Sequence, residues 1–458
     1  MYPEPEKYLS EMRTYYKTDI TRSYEKRLES LEKLKLSIEK NEESILRALK
    51  KDLKKSKTEA YMTEIGVVIE ELNYVINNLR KWMKPKKVRT PISQIGSKST
   101  IYREPYGVVL IMAPWNYPFN LAIMPLIGAI AGGNVVLIKT SSETPSVSEV
   151  IEHMIEETFE KDYIHFIKGD HAITDKIIEL GVDYIFFTGS QKVGKYIMSR
   201  ASENLTPITL ELGGKNPTIV HKDANIKVAA ERIVWGKFLN AGQTCLAPDH
   251  VYVHSSIESD FKKELVKVIN RFYGENPKKS LDYGRIVNEK QFDRLINYLN
   301  EVKVIYGGEC DRDELYIEPT LMSMVSEYDD VMKEEIFGPI LPVLNYENIE
   351  DLIEELRDRP KSLALYVFSE NDIFVDRVIE KLHYGGGCVN DTLSHIVNNR
   401  LPFGGVGESG MGLYHGKESF DTFTHQKSVL KKSTKIRIKL PYPPYKEKEF
   451  EWIKKIMK

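Results

Sequence analysis

The chain has 458 residues, a formal net charge of −2, 41% hydrophobic and 29% charged residues. That length exceeds what one compact core usually serves and implies two or three domains. The balanced charge gives no global reason to expect a nucleic-acid partner. Cys245, Cys310 and Cys388 are too few and too scattered for a disulfide framework, which suits a reducing cytoplasm. They form no CxxC or Cys/His cluster of zinc spacing.

The opening stretch, MYPEPEKYLSEMRTYY, is charged and lacks an apolar h-region, so no secretory signal is expected. Residues 21–82 are rich in Glu, Lys and Leu. Leu28, Leu31, Ile38, Ile45, Leu46 and Leu49 fall near helical spacing and predict amphipathic helices. Residues 83–105 are polar and breaker-rich, a linker or an exposed edge hairpin. From Gly107 the pattern becomes short apolar strands alternating with helices. Strands are expected at 108–112, 135–138, 163–167, 184–188, 208–212 and 217–220, with helices near 119–131 and after Pro145, His171 and Ser190. This is the signature of a parallel α/β sheet covered on both faces. The apolar run 121–138 approaches membrane-span length, but Pro125 and the turn Gly132-Gly133-Asn134 divide it into a buried helix and a buried strand. The strand at 217–220 is expected to close this part. A second α/β run spans about 223–401, with strands near 251–254, 302–306 and 364–368. The sequence KIRIKL alternates charged and apolar residues and predicts a strand near 435–440.

Chemistry concentrates at NAGQTCLAPDH (residues 240–250). Cys245 follows a Gly-Gln-Thr turn and precedes a proline. A free thiol with a pKa of about 8.5 is mostly protonated at neutral pH, and backbone N–H groups, a helix N-terminus or a cation can activate it. Thiol chemistry alone leaves inert and reactive readings open. Glu211, in TLELGGKNP, sits at a strand end beside two glycines that permit close backbone approach. Alone it could merely pair with Lys215. Asn116, in APWNYP, lies just beyond a buried strand, where an amide can donate to a developing oxyanion. Crevices in parallel sheets lie beyond the carboxyl ends of strands, and both residues are expected there.

With PWNYP, FTGSQKVG, ELGGKNP, GQTCLAPD, EEIFGP and LPFGGVGESGMGLYHGKESFDTFTH in this order, the chain resembles the aldehyde dehydrogenase superfamily over essentially its whole length. GQTCLAPDH, YHGKESFDTFTH and YPPY look like its class 3, fatty-aldehyde-type branch. The resemblance implies an α/β fold with a Rossmann-like dinucleotide-binding domain (1–82 and 106–211), a second α/β catalytic domain (212–424), an oligomerisation element (83–105 and 425–445) and a basic tail (446–458). It implies Cys245 as nucleophile, Glu211 as general base, and Asn116 with the Cys245 backbone N–H as oxyanion hole. Together these would oxidise medium- or long-chain aliphatic or aromatic aldehydes to acids with NAD or NADP. Same-fold alternatives are a coenzyme A-acylating enzyme, which generally lacks the Glu211 base, and a non-catalytic scaffold, which does not need all three residues.

The literal GxGxxG at residues 405–410 follows no clear strand and opens no βαβ unit, so it is expected to be a tight loop beside the site. The better dinucleotide candidate is the strand-turn-helix around Gly189, Ser190 and Gly194. By resemblance, Lys139 would contact the adenosine ribose, and Glu335 and Phe337 the nicotinamide ribose and ring. NAD-using members often carry Glu three residues after that lysine. Here Ser142 stands there and Glu143 follows, so NADP is expected to be accepted. Trp115, Tyr117 and Phe403 are the expected apolar lining, with Tyr414 and His415 nearby. A cytoplasmic homodimer is expected. The tail mixes Phe450, Trp452, Ile453 and Ile456 with lysines, too short and charged to span a bilayer but capable of surface contact.

Overall fold

In the computed structural model, which describes residues 5–300, 303–435 and 442–457, the apolar runs become the centres of two parallel sheets. The first sheet has the order Gly410–Met411, Ile208–Leu212, Tyr184–Gly189, Val108–Met112, Val135–Lys139, Ile164–Phe166. All its strands are parallel except Gly410–Met411. Counted along the chain, its five parallel strands run 3-2-1-4-5 outward from the far edge, the Rossmann-like order. Connections reverse between Val108–Met112 and Tyr184–Gly189, so a crevice opens beyond Met112 and Gly189. Every residue of Val108–Met112 is buried, as helices on both faces require.

The second sheet has the order Lys303–Tyr306, Thr320–Ser323, Ile340–Tyr346, His250–His254, Pro217–Val220, Ala364–Phe368, Gly386–Val389. Only Lys303–Tyr306 runs antiparallel to its neighbour. Pro217–Val220 was expected to close the first sheet, but it pairs with His250–His254 and Ala364–Phe368 in the second. Four residues after Leu212 suffice for the chain to change sheets, through the two glycines 213 and 214. Of the strand expected at 302–306, residue 302 lies outside the described residues.

A third, antiparallel sheet joins Lys86–Val88, Ser97–Pro105 and Thr424–Lys432. The breaker-rich segment is therefore a hairpin rather than a linker. The C-terminal strand that pairs with it precedes the KIRIKL segment, whose residues 436–440 lie outside the described residues. The tail carries a helix, Glu447–Ile456. The N-terminal region forms a long helix, Tyr24–Leu53, capped by Ser23. A short helix, Lys57–Ala60, then passes through a π-helical turn, Tyr61–Gly66, into Val67–Trp82. Among the described residues no helix is long and apolar enough to cross a membrane.

Pro125 does not divide the apolar run. It lies inside the helix Asn120–Gly132, whose end is set instead by Gly133 in the left-handed conformation. The missing N–H costs one helical hydrogen bond near the first turns, and complete burial of the helix outweighs it. Asn134 then ties three segments together. Its amide donates to Ala129 O (3.1 Å) and Phe423 O (2.9 Å), and its Oδ1 accepts from Gly107 N (3.1 Å). Each group is buried, and a buried polar group left unpaired costs about 1–3 kcal/mol. Asn134→Ala is therefore expected to destabilise by roughly 3 kcal/mol or more, lowering the thermal midpoint. The turnover of the protein that remains folded should be unchanged at low temperature. An unaltered midpoint in differential scanning fluorimetry would contradict this.

Candidate active site

The loops beyond Met112 and Gly189 face those of the second sheet across a cavity of about 1320 Å³. Asn116, Glu211 and Cys245 all line it, as do Trp115, Tyr117, Gly189, Ser190, Glu335, Phe337, Phe403, Tyr414 and His415. Lys139, Ser142 and Gly194 are not among its lining residues.

The nucleophile candidate sits on a strained, heavily anchored loop. After the helix Ile226–Phe238, Asn240, Ala241 and Gly242 all adopt positive φ (53°, 51° and 75°). Non-glycine residues there cost of order 1 kcal/mol or more each and persist only where surroundings hold them. Side chains supply that hold. Gln243 donates to Asn240 O (3.0 Å) and Arg285 O (2.9 Å) and accepts from Val287 N (2.9 Å). Asn216 donates to Cys245 O (2.6 Å) and Ala247 O (3.1 Å) while accepting from Ala364 N (2.8 Å). Tyr366 donates to Leu246 O (2.7 Å). The sulfur position is thus fixed from both sides of Cys245. Burial pushes its thiol up, to about 12, and the Glu335 and Glu211 carboxyls add to the rise, while the backbone N–H groups of Cys245 and Leu246 favour the thiolate. The proton must therefore be removed by a base during the reaction.

Glu211 is the penultimate residue of the strand Ile208–Leu212, opposite Gly410 of the glycine-rich loop. Both of its carboxylate oxygens are buried without a hydrogen-bond partner. Burial alone drives its pKa well above the usual carboxylate range, the direction that strengthens a carboxylate as a general base. It makes no pair with Lys215, whose ammonium binds Asp249 and the carbonyls of Val331 (2.7 Å) and Glu334 (3.0 Å). The loop at 405–410 is the tight turn expected of it. A Cβ at Gly410 would stand 2.3 Å from Leu210 O, so glycine lets it lie against the Glu211 strand.

Asn116 is buried, and its Nδ2 donates one hydrogen to Gln243 O (3.1 Å). A primary amide has two, so the second is left for the cavity. Tyr117 does more than line the wall: its hydroxyl pairs with Thr244 Oγ1 (2.6 Å), next to Cys245. Trp115 meets the Phe337 ring edge-on at 5.4 Å between centroids. Phe403 bridges Tyr414 through the backbone and packs on it at 5.5 Å.

A further part of the cavity lining suits a sugar-phosphate ligand. Gly189 and Ser190 lead into the helix Gln191–Ser202, capped by the Ser190 hydroxyl on Val193 N (3.4 Å), and its N-terminus offers N–H groups to an anion. Glu335 Oε1 and Thr188 Oγ1 are buried and unpartnered, ready to bind hydroxyls. A Cβ at Gly213 would lie 1.9 Å from Glu335 Oε2, so that glycine admits the carboxylate. Gly194 sits inside the helix against Leu212, where a Cβ would come within 2.7 Å of the leucine side chain, so glycine here lets helix and strand come together. Lys139 is half-buried at its strand end and Ser142 is exposed. Glu143 accepts from Asn288 Nδ2 (2.7 Å).

Sequence reasoning missed the apolar wall built by Met62, Val67, Leu121, Met124, Trp235 and Ile396. These residues come from four distant segments, so only the fold assembles them. It also missed Lys55, Glu59 and Glu64, which are buried beneath the site.

The aldehyde dehydrogenase family profile matches residues 6–429. The chain is 51% identical over 448 residues to a 4,4'-diaponeurosporen-aldehyde dehydrogenase of Staphylococcus aureus, covering 97% of each chain. It is 42% identical to the dimeric NADP-preferring aldehyde dehydrogenase of Mus musculus, covering 93% of this chain and 94% of that one. A solved structure of the substrate-bound state of Staphylococcus aureus AldH superposes with a TM-score of 0.97 at 50% identity and covers 99% of both chains. With this fold, these motifs and matches over nearly its full length, the chain belongs to the aldehyde dehydrogenase family.

Proposed function

We propose that this protein is a class 3-like, fatty-aldehyde-type dehydrogenase that converts apolar aldehydes to free carboxylic acids with NAD or NADP. The observation that carries the free-acid reading is Glu211: a buried carboxyl with no protein partner, in the same cavity as Cys245. Transfer to coenzyme A would need no such base, and a scaffold would have no reason to leave a carboxyl unpaired at such cost.

The chain's residues act in sequence. Cys245 gives its proton to Glu211, which releases it to solvent, and adds through sulfur to the aldehyde carbon. The carbonyl oxygen becomes an oxyanion held by the free Asn116 N–H and the Cys245 backbone N–H. Bound NAD or NADP supplies a hydride acceptor, and Glu335, Phe337, Lys139, Gly189 and Ser190 are the residues proposed to hold it. With hydride gone, Cys245 carries a thioester. Glu211 takes a proton from water, whose oxygen adds to the thioester carbon, and the acid leaves as the C–S bond breaks. The apolar wall of Met62, Val67, Leu121, Met124, Trp235 and Ile396 favours a medium or long hydrocarbon chain, or an aromatic one. A homodimer through the exposed Thr424–Lys432 edge and the 86–105 hairpin, in the cytoplasm, completes the reading.

Cys245→Ala should abolish NAD(P)H production across an aldehyde panel, and retained turnover would reject the mechanism. Glu211 is protonated and idle below its raised pKa and active above it, so kcat/KM should climb with pH above the usual carboxylate range. Glu211→Gln should lose about a hundredfold or more and flatten that climb. A climb that persists unchanged in the variant would assign it to another group.

Glu143 is held by Asn288 and Ser142 is exposed, so a ribose 2′-phosphate placed at Ser142 would meet a hydroxyl donor rather than a carboxylate. NADP is expected to match or exceed NAD in kcat/KM. A preference for NAD beyond about tenfold, or roughly 1.4 kcal/mol, would sink this.

The helix Glu447–Ile456 leaves Phe450 54% and Trp452 61% exposed among lysines, chemistry suited to an anionic bilayer surface. Cosedimentation with anionic liposomes should weaken on removing residues 446–458; unchanged binding removes the tail from the reading.

A further inference from the structure

Beneath the site lies a buried ion pair. Lys55 and Glu64 are joined Nζ to Oε1 at 2.6 Å, and both side chains are fully shielded from solvent. Burying two charges is expensive, and packed apolar residues generally stabilise a fold as well or better. The pair's partners explain its presence. The three ammonium donors of Lys55 reach Glu64, the main-chain oxygen of Asn116 (3.0 Å) and the face of the Tyr117 ring (3.9 Å from its centroid). The second oxygen of Glu64 accepts from Phe119 N (3.1 Å) and Asn120 N (2.9 Å). Together they grip both ends of the 116–120 turn. Asn116 O receives a second bond, from Asn240 Nδ2 (2.8 Å), and Asn240 N in turn donates to Glu59 Oε1 (2.9 Å). Both lone pairs of that carbonyl are used, which locks the peptide that carries the Asn116 side chain. Tyr117, resting on the ammonium, reaches Thr244 beside the nucleophile. Glu64 belongs to the π-helical turn Tyr61–Gly66, an irregularity frequent at functional sites.

We propose that Lys55, set by Glu64, is a positioning residue of the oxyanion hole: it fixes the Asn116 turn and the Tyr117 ring so that the free Asn116 N–H keeps its aim at the oxygen developing on the Cys245 adduct. The inference rests on the reading of Asn116 as the oxyanion donor.

The test compares wild type, Asn116→Ala, Lys55→Met/Glu64→Gln, Glu64→Gln, and Asn116→Ala combined with Lys55→Met/Glu64→Gln. The double variant removes both charges and keeps an oxygen for Phe119 and Asn120; the single variant only loosens the ammonium and covers the case in which the double one does not fold. Each is measured by thermal melting, aldehyde kinetics and affinity for an alkyl trifluoromethyl ketone, which adds to Cys245 and places an oxyanion in the hole. The double variant should bind NAD(P) normally, lose about ten- to a hundredfold in kcat and in ketone affinity, and leave the aldehyde KM little changed. Glu64→Gln should show a smaller loss of the same kind. Added to Asn116→Ala, the double change should cost little more. Normal kcat and ketone affinity in a folded variant, or losses that add fully to those of Asn116→Ala, overturn the proposal. If Asn116→Ala itself keeps ketone affinity, the oxyanion reading fails and takes the proposal with it.

Discussion

A carboxyl group that has been taken out of water and given nothing in return is the constraint on which this site depends. Glu211 could have been neutralised by Lys215, four residues away, but that lysine is committed to Asp249 and two carbonyls. The strand geometry enforces the separation. Glu211 is the penultimate residue of a strand in one sheet, while Lys215 lies past the two glycines in the crossing to the other, so their side chains serve different neighbours. With no cation to hold its charge, the carboxyl keeps its proton more tightly than a surface glutamate. The thiol of Cys245 is pushed the same way by the same burial. One low-dielectric cavity therefore prepares both groups, and it strengthens every hydrogen bond later made to a developing oxyanion.

Such groups destabilise a fold, and the surrounding loops carry the compensation. The residues nearest the sulfur use their carbonyls fully: Cys245 O and Ala247 O are taken by Asn216, Leu246 O by Tyr366, and Gln243 O by Asn116 and Asn240. Unpaired buried side-chain oxygens line the cavity at Glu71, Thr188, Glu211 and Glu335. Satisfaction of the backbone and dissatisfaction of selected side chains is the distribution expected where ligand groups complete the bonding.

Much of this was legible in the sequence because it rests on local signals. Val108–Met112 and Tyr184–Phe187 are continuous apolar runs, ITLEL at 208–212 alternates apolar and polar residues, and the turns that end them place Asn116, Ser190 and Glu211 at one crevice. The assignment of Pro217–Val220 to the wrong sheet shows the limit: a buried parallel strand reads alike in any sheet, and only pairing partners distinguish them. Pro125 misleads for a related reason, since propensity penalises one lost hydrogen bond while burial of a whole helix outweighs it. Gly194 fits a phosphate-loop pattern, and it also lets its helix come against Leu212. Lys55 and Glu64 were least legible. They sit in KKDLKKSKTEAYMTEIG, where abundant charge reads as a solvated helix face, and nothing in that pattern marks which lysine turns inward.

The positions of those two residues alter how the N-terminal helices are understood. A helix pair rich in Lys and Glu could be peripheral packing on the first sheet, and most of Tyr24–Leu53 does bury an apolar stripe there. At Lys54 the backbone turns left-handed and ends the helix, and the next residue sends its ammonium under the active site. The π-turn then displaces the helical register within the following segment, and it is within this turn that Glu64 faces inward while Tyr61, Met62 and Thr63 line the cavity. A regular helix repeats its buried face every three or four residues, so it would not readily place a carboxylate under the Asn116 turn and apolar side chains along the substrate wall within four consecutive positions. The irregular segment thus links two tasks, shaping the apolar cavity and holding the oxyanion donor, and a change in one is transmitted to the other through a single turn of chain.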